Sequence, residues 1–104
     1  MQLKNTFSHQ VYFWLKDKAD LPKLIEGLNI LVPIKTISQI HIGVPAPSEM
    51  REVIERSYDA SLCVLFDSLA DHDYYQIDPL HDIFRDQYAD PLCKKVMVLD
   101  SIDA

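Results

Sequence analysis

Glycine is scarce in this chain, at two residues in 104, so glycine-rich phosphate loops are excluded: there is no GxGxxG, no P-loop and no GxSxG. Cysteine is limited to Cys63 and Cys93 with no CxxC spacing, which argues against a zinc ribbon or a thioredoxin-like redox site. Both lie in apolar runs and read as buried, unreactive thiols. Basic residues are outnumbered, 10 against 16 acidic, for a net charge of −6. That balance supplies no footprint for nucleic acid phosphates and no attraction to an anionic membrane surface. No apolar run approaches the roughly 18–20 residues of a membrane helix, and the opening MQLKNTFSHQ has no apolar leader core. A cytoplasmic protein is the expectation.

What the chain does have is enough apolar material, 48% of residues, for one core in a single domain over 1–104. Residues 7–16 (FSHQVYFWLK) alternate as a strand, with His9, Val11, Phe13 and Leu15 on one face and Gln10, Tyr12, Trp14 and Lys16 on the other. Residues 20–32 place Leu21, Leu24, Ile25, Leu28 and Leu31 along one stripe of a helix, with Asp20 as cap and Pro22 tolerated in the first turn. Residues 36–44 alternate as a second strand and residues 58–67 as a third. Between them, Pro45 to Ser57 reads as a long connection with one helical turn near Glu49–Glu55.

The following segment is helical but interrupted. Asp78-Pro79 is a good cap and first-turn pair, so a short helix to Ile77 and a second from Pro79 to about Ala89 are expected. On the second, His81, Phe84 and Tyr88 share the core-facing side. Residues 92–99 (LCKKVMVL) form the last strand. The order βαββαβ predicts an α+β, ferredoxin-like domain: a four-stranded antiparallel sheet with its helices on one face. Yet strands one, three and four carry large apolar residues on both faces, Tyr12, Trp14, Leu65, Met97 and Leu99 among them. An uncovered apolar sheet face predicts self-association, here a homodimer whose sheets pack face to face.

The residues also resemble a family. FSHQVYFWLK, the isolated Gly43, LFDSLADHDYYQIDPLHDIF and the closing VMVLD are similar to the stress-responsive α/β-barrel (Dabb) domain. The most specific stretch is Phe66 to Phe84, with Tyr75-Gln-Ile-Asp-Pro79-Leu-His81 within it. The resemblance covers nearly the whole chain and implies a dimeric α+β barrel. Some plant members that this chain resembles in fold act as polyketide cyclases, which close a ring by aldol-type condensation without metal or cofactor. In that light His81 corresponds to the general base, Tyr75 to the residue that orients the carbonyl oxygen, and His9 to a pocket-lining residue. The chain departs from the cyclase at Ala60, where a third-strand histidine stands, and near Gly27, where a first-helix tyrosine finds no counterpart.

His9, Tyr75 and His81 are therefore the candidate catalytic residues. A neutral imidazole in an apolar pocket is a suitable base near neutral pH, and a phenol can donate to a developing oxyanion. No cofactor and no metal ligand set is expected: the chain has no HxxxH, and Asp71-His72-Asp73 reads as a charged helix start. His41 and His72 read as surface residues. The functions in contention are a binding domain for a small apolar or aromatic ligand, with acid/base chemistry on a carbonyl compound; a non-catalytic stress-associated structural or assembly protein; and a cofactor-independent monooxygenase.

Overall fold

A computed structural model describes residues 1–104. Strand β1 (Phe7–Leu15) is followed by a short 3-10 turn and helix α1 (Leu21–Ile30). Strands β2 (Gln39–Gly43) and β3 (Ala60–Phe66) come next, then helices α2 (Leu69–Ile77) and α3 (Pro79–Phe84). A π turn (Arg85–Ala89) and one α turn (Asp90–Leu92) lead into strand β4 (Cys93–Ile102). The strands form one sheet in the order β2-β3-β1-β4, with every neighbouring pair antiparallel. This is the ferredoxin-like order expected from the sequence. No helix is long and apolar enough to cross a membrane.

Local chemistry sets the helix ends. The Ser68 hydroxyl accepts from Asp71 N at 3.1 Å and starts α2. Asp78 is extended (ψ 138°), and its carboxylate accepts from Leu80 N at 2.9 Å while Pro79 opens α3. One residue thus ends a helix and caps the next. The second helical stretch, expected to run to Ala89, gives up α geometry at Arg85. The wider turn brings Tyr88 onto Gly27 of α1. A Cβ at Gly27 would stand 2.6 Å from Tyr88 Cδ1 and 2.7 Å from its Cβ.

The core lies between sheet and helices. Val11, Phe13, Leu15, Leu62, Val64 and Phe66 from the sheet meet Leu24, Leu28, Tyr75 and Phe84 from the helices, all buried. The alternation read from the sequence holds for β1 and β3. In β4 the pairing to β1 continues past Leu99 to Ile102, three residues beyond the expected end, because Phe7 pairs with Ile102 and His9 with Asp100. Val96 and Val98 point to the helix side yet stay 46% and 48% exposed. The helices lie over β2 and β3, meet β1 through Tyr75 and Phe84, and leave Val96 and Val98 of the edge strand β4 exposed.

The opposite face carries Tyr12, Trp14, Met97 and Leu99 around a cleft of about 250 Å³. Trp14 is nonetheless buried: its indole N–H donates to Ser57 at 3.0 Å, Tyr58 packs edge-on against it, and the Lys95 ammonium sits 4.5 Å from its ring. The end of the 45–57 connection therefore roofs part of this face. That connection holds one tight turn, with Ile54 N donating to Arg51 O, instead of a helical turn. Cys93 is buried as expected, whereas Cys63, on the uncovered face, is half-buried. Burial pushes the Cys93 thiol up to about 11, so it is protonated and unreactive at neutral pH.

Gly27→Ala tests the α1–π turn contact. Alanine favours a helix over glycine by up to about 1 kcal/mol, but here the Tyr88 ring must move. The expected outcome is a net loss of about 1–3 kcal/mol in chemical denaturation, and an unchanged or raised stability would refute the contact.

Candidate functional site

The site forms where α2 and the first turn of α3 cross the Phe7 end of β1. His9 enters from β1, Tyr75 from the last turn of α2, and His81 from the first turn of α3. Because β1 buries alternate residues, His9 is forced inward with Val11 and Phe13, and it is 4% exposed. The Asp78-Pro79 break turns α3 so that His81 reaches back to α2. Its ring packs edge-on to Tyr75 at 4.9 Å between centroids. On the other side, His9 and Tyr75 pack edge-on at 5.7 Å. The three predicted residues are therefore together, but the two histidines meet across the Tyr75 ring and not directly.

Asp100 is the residue the sequence reading missed. It pairs with His9 across β1–β4, and its Oδ1 lies 2.6 Å from His9 Nδ1. A carboxylate only accepts, so Nδ1 carries the proton and the Nε2 lone pair is left free. The signal that could have found it is an acid at even spacing from Val96 and Val98 on the strand's histidine-facing side. Detecting it requires the strand to run beyond Leu99 and the register to be known.

His72 is a second correction. It was expected on the surface, but its side chain is only 12% exposed. It stacks on Phe7 at 4.4 Å and 27°, and lies 5.1 Å from the His9 ring. The charged neighbours Asp71 and Asp73 hide this in the sequence: one turn of helix puts His72 on the core side of α2 while they face outward. His41, expected to be exposed, is so.

Burial dominates the electrostatics. It lowers the pKa of His9 below the ordinary 6.5 despite the Asp100 carboxylate, and lowers that of His81 with help from the Arg85 charge. It pushes the Tyr75 phenol well above the usual range. Both imidazoles and the phenol are thus neutral near pH 7. His81 Nδ1 is buried and has no hydrogen-bond partner. Such a group costs about 1–3 kcal/mol against a satisfied one.

A cleft of about 600 Å³ opens beside this cluster and not onto the predicted trio. Phe7, Ser68, Leu69, Ile102 and Asp103 are among its lining residues. None of the three principal clefts is lined by His9, Tyr75 or His81. The space between those side chains is filled by their own rings.

The stress responsive A/B barrel domain model matches residues 7–103. No curated protein matches the chain. Among solved structures, a Dabb family protein with a ferredoxin-like fold from Mesorhizobium loti is 21% identical, covering 95% of this chain and 97% of its own, with a TM-score of 0.73. A dimeric ferredoxin-like protein of unknown function from Jannaschia superposes with a TM-score of 0.77 at 18% identity, covering 94% and 99%. A hydroxynitrile lyase from Passiflora edulis is 19% identical over 95% of this chain and 94% of its own, with a TM-score of 0.75. At these identities the likeness is one of fold.

The lowered histidine pKa values fix a pH dependence. Unfolded chains bind protons at about pH 6.5 that folded chains still refuse. Stability from His9 and His81 is therefore complete above pH 6.5 and falls as pH drops from there toward the lower folded pKa values. Thermal melts from pH 8 to pH 5 should show a steeper decline for the native chain than for His81→Gln; parallel curves would exclude a buried neutral His81.

Proposed function

We propose, from the premise that this chain belongs to the stress responsive A/B barrel domain family, that it is a homodimeric domain that binds a small apolar or aromatic carbonyl compound beside His9, Tyr75 and His81. The reaction class is proton abstraction next to the carbonyl. His81, neutral and desolvated, takes the proton. The Tyr75 hydroxyl donates to the oxygen on which charge develops. Asp100 fixes the His9 ring, which lines the pocket. The observation that carries this reading is the buried, unpartnered His81 Nδ1. A polar atom left unsatisfied at a cost to folding is accounted for when a ligand completes it. The site must open as the ligand enters, with the Tyr75 ring as the moving wall.

Self-association is supported by the apolar face around Tyr12, Trp14, Met97 and Leu99, where Leu99 is 51% exposed. Leu99→Asp should convert the dimer to a monomer with its circular dichroism retained. A native chain sedimenting as a monomer at micromolar concentration would exclude the dimer.

The second reading is a dimeric structural or assembly domain without chemistry. It is favoured by the absence of the three side chains from the principal clefts. One experiment separates the two: hydrogen–deuterium exchange at the methyl group of an aryl methyl ketone in D₂O, followed by NMR. The enzyme reading expects exchange above buffer, reduced at least about 100-fold in His81→Gln, the scale of a lost general base, with Tyr75→Phe also impaired. Exchange at the buffer rate in the native chain supports the structural reading.

A further inference from the structure

Two imidazoles and a carboxylate that lie far apart in the chain come together at the Phe7 end of the sheet. One donor atom each from His9, His72 and Asp100 lies within 4.8 Å of the other two. Three different elements supply them: β1, α2 and β4. We propose that these three side chains form a binding site for a first-row divalent transition-metal cation of the zinc type, with its remaining coordination positions open toward the adjoining cleft.

The donor set suits that class. Imidazole and carboxylate ligands select zinc and its transition-metal neighbours over calcium or magnesium, which take mostly oxygen. Three protein ligands leave a position free for water or another ligand. Metal–ligand distances near 2.1 Å put neighbouring donor atoms about 3.4 Å apart in a tetrahedral site. His9 Nδ1 and Asp100 Oδ1 are 2.6 Å apart with the Nδ1 proton between them, so a cation held by both atoms releases that proton to solvent. Since all the donor atoms lie within 4.8 Å of one another, no pair has to close by more than about 1.4 Å to meet that spacing. Asp100, whose side chain is 40% exposed, is free to make the adjustment.

The surroundings resemble those of a held ligand and not a chance cluster. His72 Nδ1 lies 3.2 Å from Asp73 Oδ1, so its N–H donates outward to a carboxylate and the Nε2 lone pair is left for a metal. Gln76 Nε2, 3.2 Å from His72 Nε2, is the one group the cation displaces. Phe7 stacks on the His72 ring and Phe66 packs edge-on against it, which fixes the ring and keeps the site in an apolar wall.

The 600 Å³ cleft adjoins the cluster through Phe7 and Ile102, which line it. The register pairs Phe7 with Ile102 and His9 with Asp100, so on both strands the cluster sits one same-face step inward from the 600 Å³ cleft. Ser68, in the cleft wall, lies one helical turn before His72. A cation in the cluster would therefore face the cleft. This goes beyond the proton-transfer reading and does not depend on it.

The test needs no substrate. Chelator-treated full-length chain is titrated with Zn²⁺ by calorimetry at neutral pH, and with Co²⁺ by visible absorption. The expected result is saturable uptake of one ion per chain, visible Co²⁺ bands, and a higher melting temperature with Zn²⁺. His72→Asn and Asp100→Asn should each weaken uptake at least about 10–100-fold, the scale of disturbing a metal site. His41→Ala, which removes an exposed histidine on the other face, should change nothing. If His72→Asn fails to fold, Asp100→Asn at a partly exposed position still decides the matter. No saturable uptake by the native chain, uptake undiminished in Asp100→Asn, or uptake lost in His41→Ala would each overturn the site. Because the readout is binding alone, failure here leaves the ketone-exchange experiment untouched.

Discussion

Strand β1 is hydrogen-bonded along both edges, to β3 on one side and to β4 on the other, and that double pairing is the constraint on which the rest of the molecule depends. A central strand has no freedom to slip: a shift of one residue would turn every side chain to the opposite face. With Val11, Phe13 and Leu15 held inward, His9 must also be inward. The same register then sets Asp100 beside it. The polar pair is thus a consequence of the apolar packing, and the hydrogen bond reduces the cost of burying an imidazole.

Burial acts in two directions on the candidate site. It holds His9, His81 and Tyr75 in their neutral forms, which favours proton transfer. It also leaves His81 Nδ1 without a partner, a local departure from the satisfaction seen elsewhere in the core. Sites of function are where such departures concentrate, because a group already bonded within the protein has nothing left to offer a ligand. His9 differs from His81 in this respect. Its Nδ1 is occupied by Asp100, so its orientation is fixed.

The helices leave β4 uncovered on their own side, and the far face of the sheet is apolar with a partial roof from the 45–57 connection. Val96, Val98, Leu99 and Ile102 are all substantially exposed along this one strand. An apolar edge strand is a liability in isolation, since its unpaired backbone and side chains invite association. A C₂ partner would manage it, and would at the same time enclose the Tyr12–Trp14–Tyr58 cleft.

The sequence by itself determined the fold class, the inward face of β1 and β3, the Asp78-Pro79 break and the inward placing of His9 and His81. Each follows from a local rule: a period of two, a period of 3.6, or a capping preference that acts over a few residues. What tertiary structure alone decided was which distant residues meet. Asp100 joins His9 across 91 positions of chain, through a β4 that runs on to Ile102 because β1 is there to pair with it. His72 looked like part of a solvated DHD run, but the sheet beneath α2 draws its ring onto Phe7 and His9. The π turn after α3 arises in the same way, because Tyr88 can reach the bare Gly27 of α1. Strand register and helix docking are set by long-range packing, which a pattern confined to neighbouring residues does not encode.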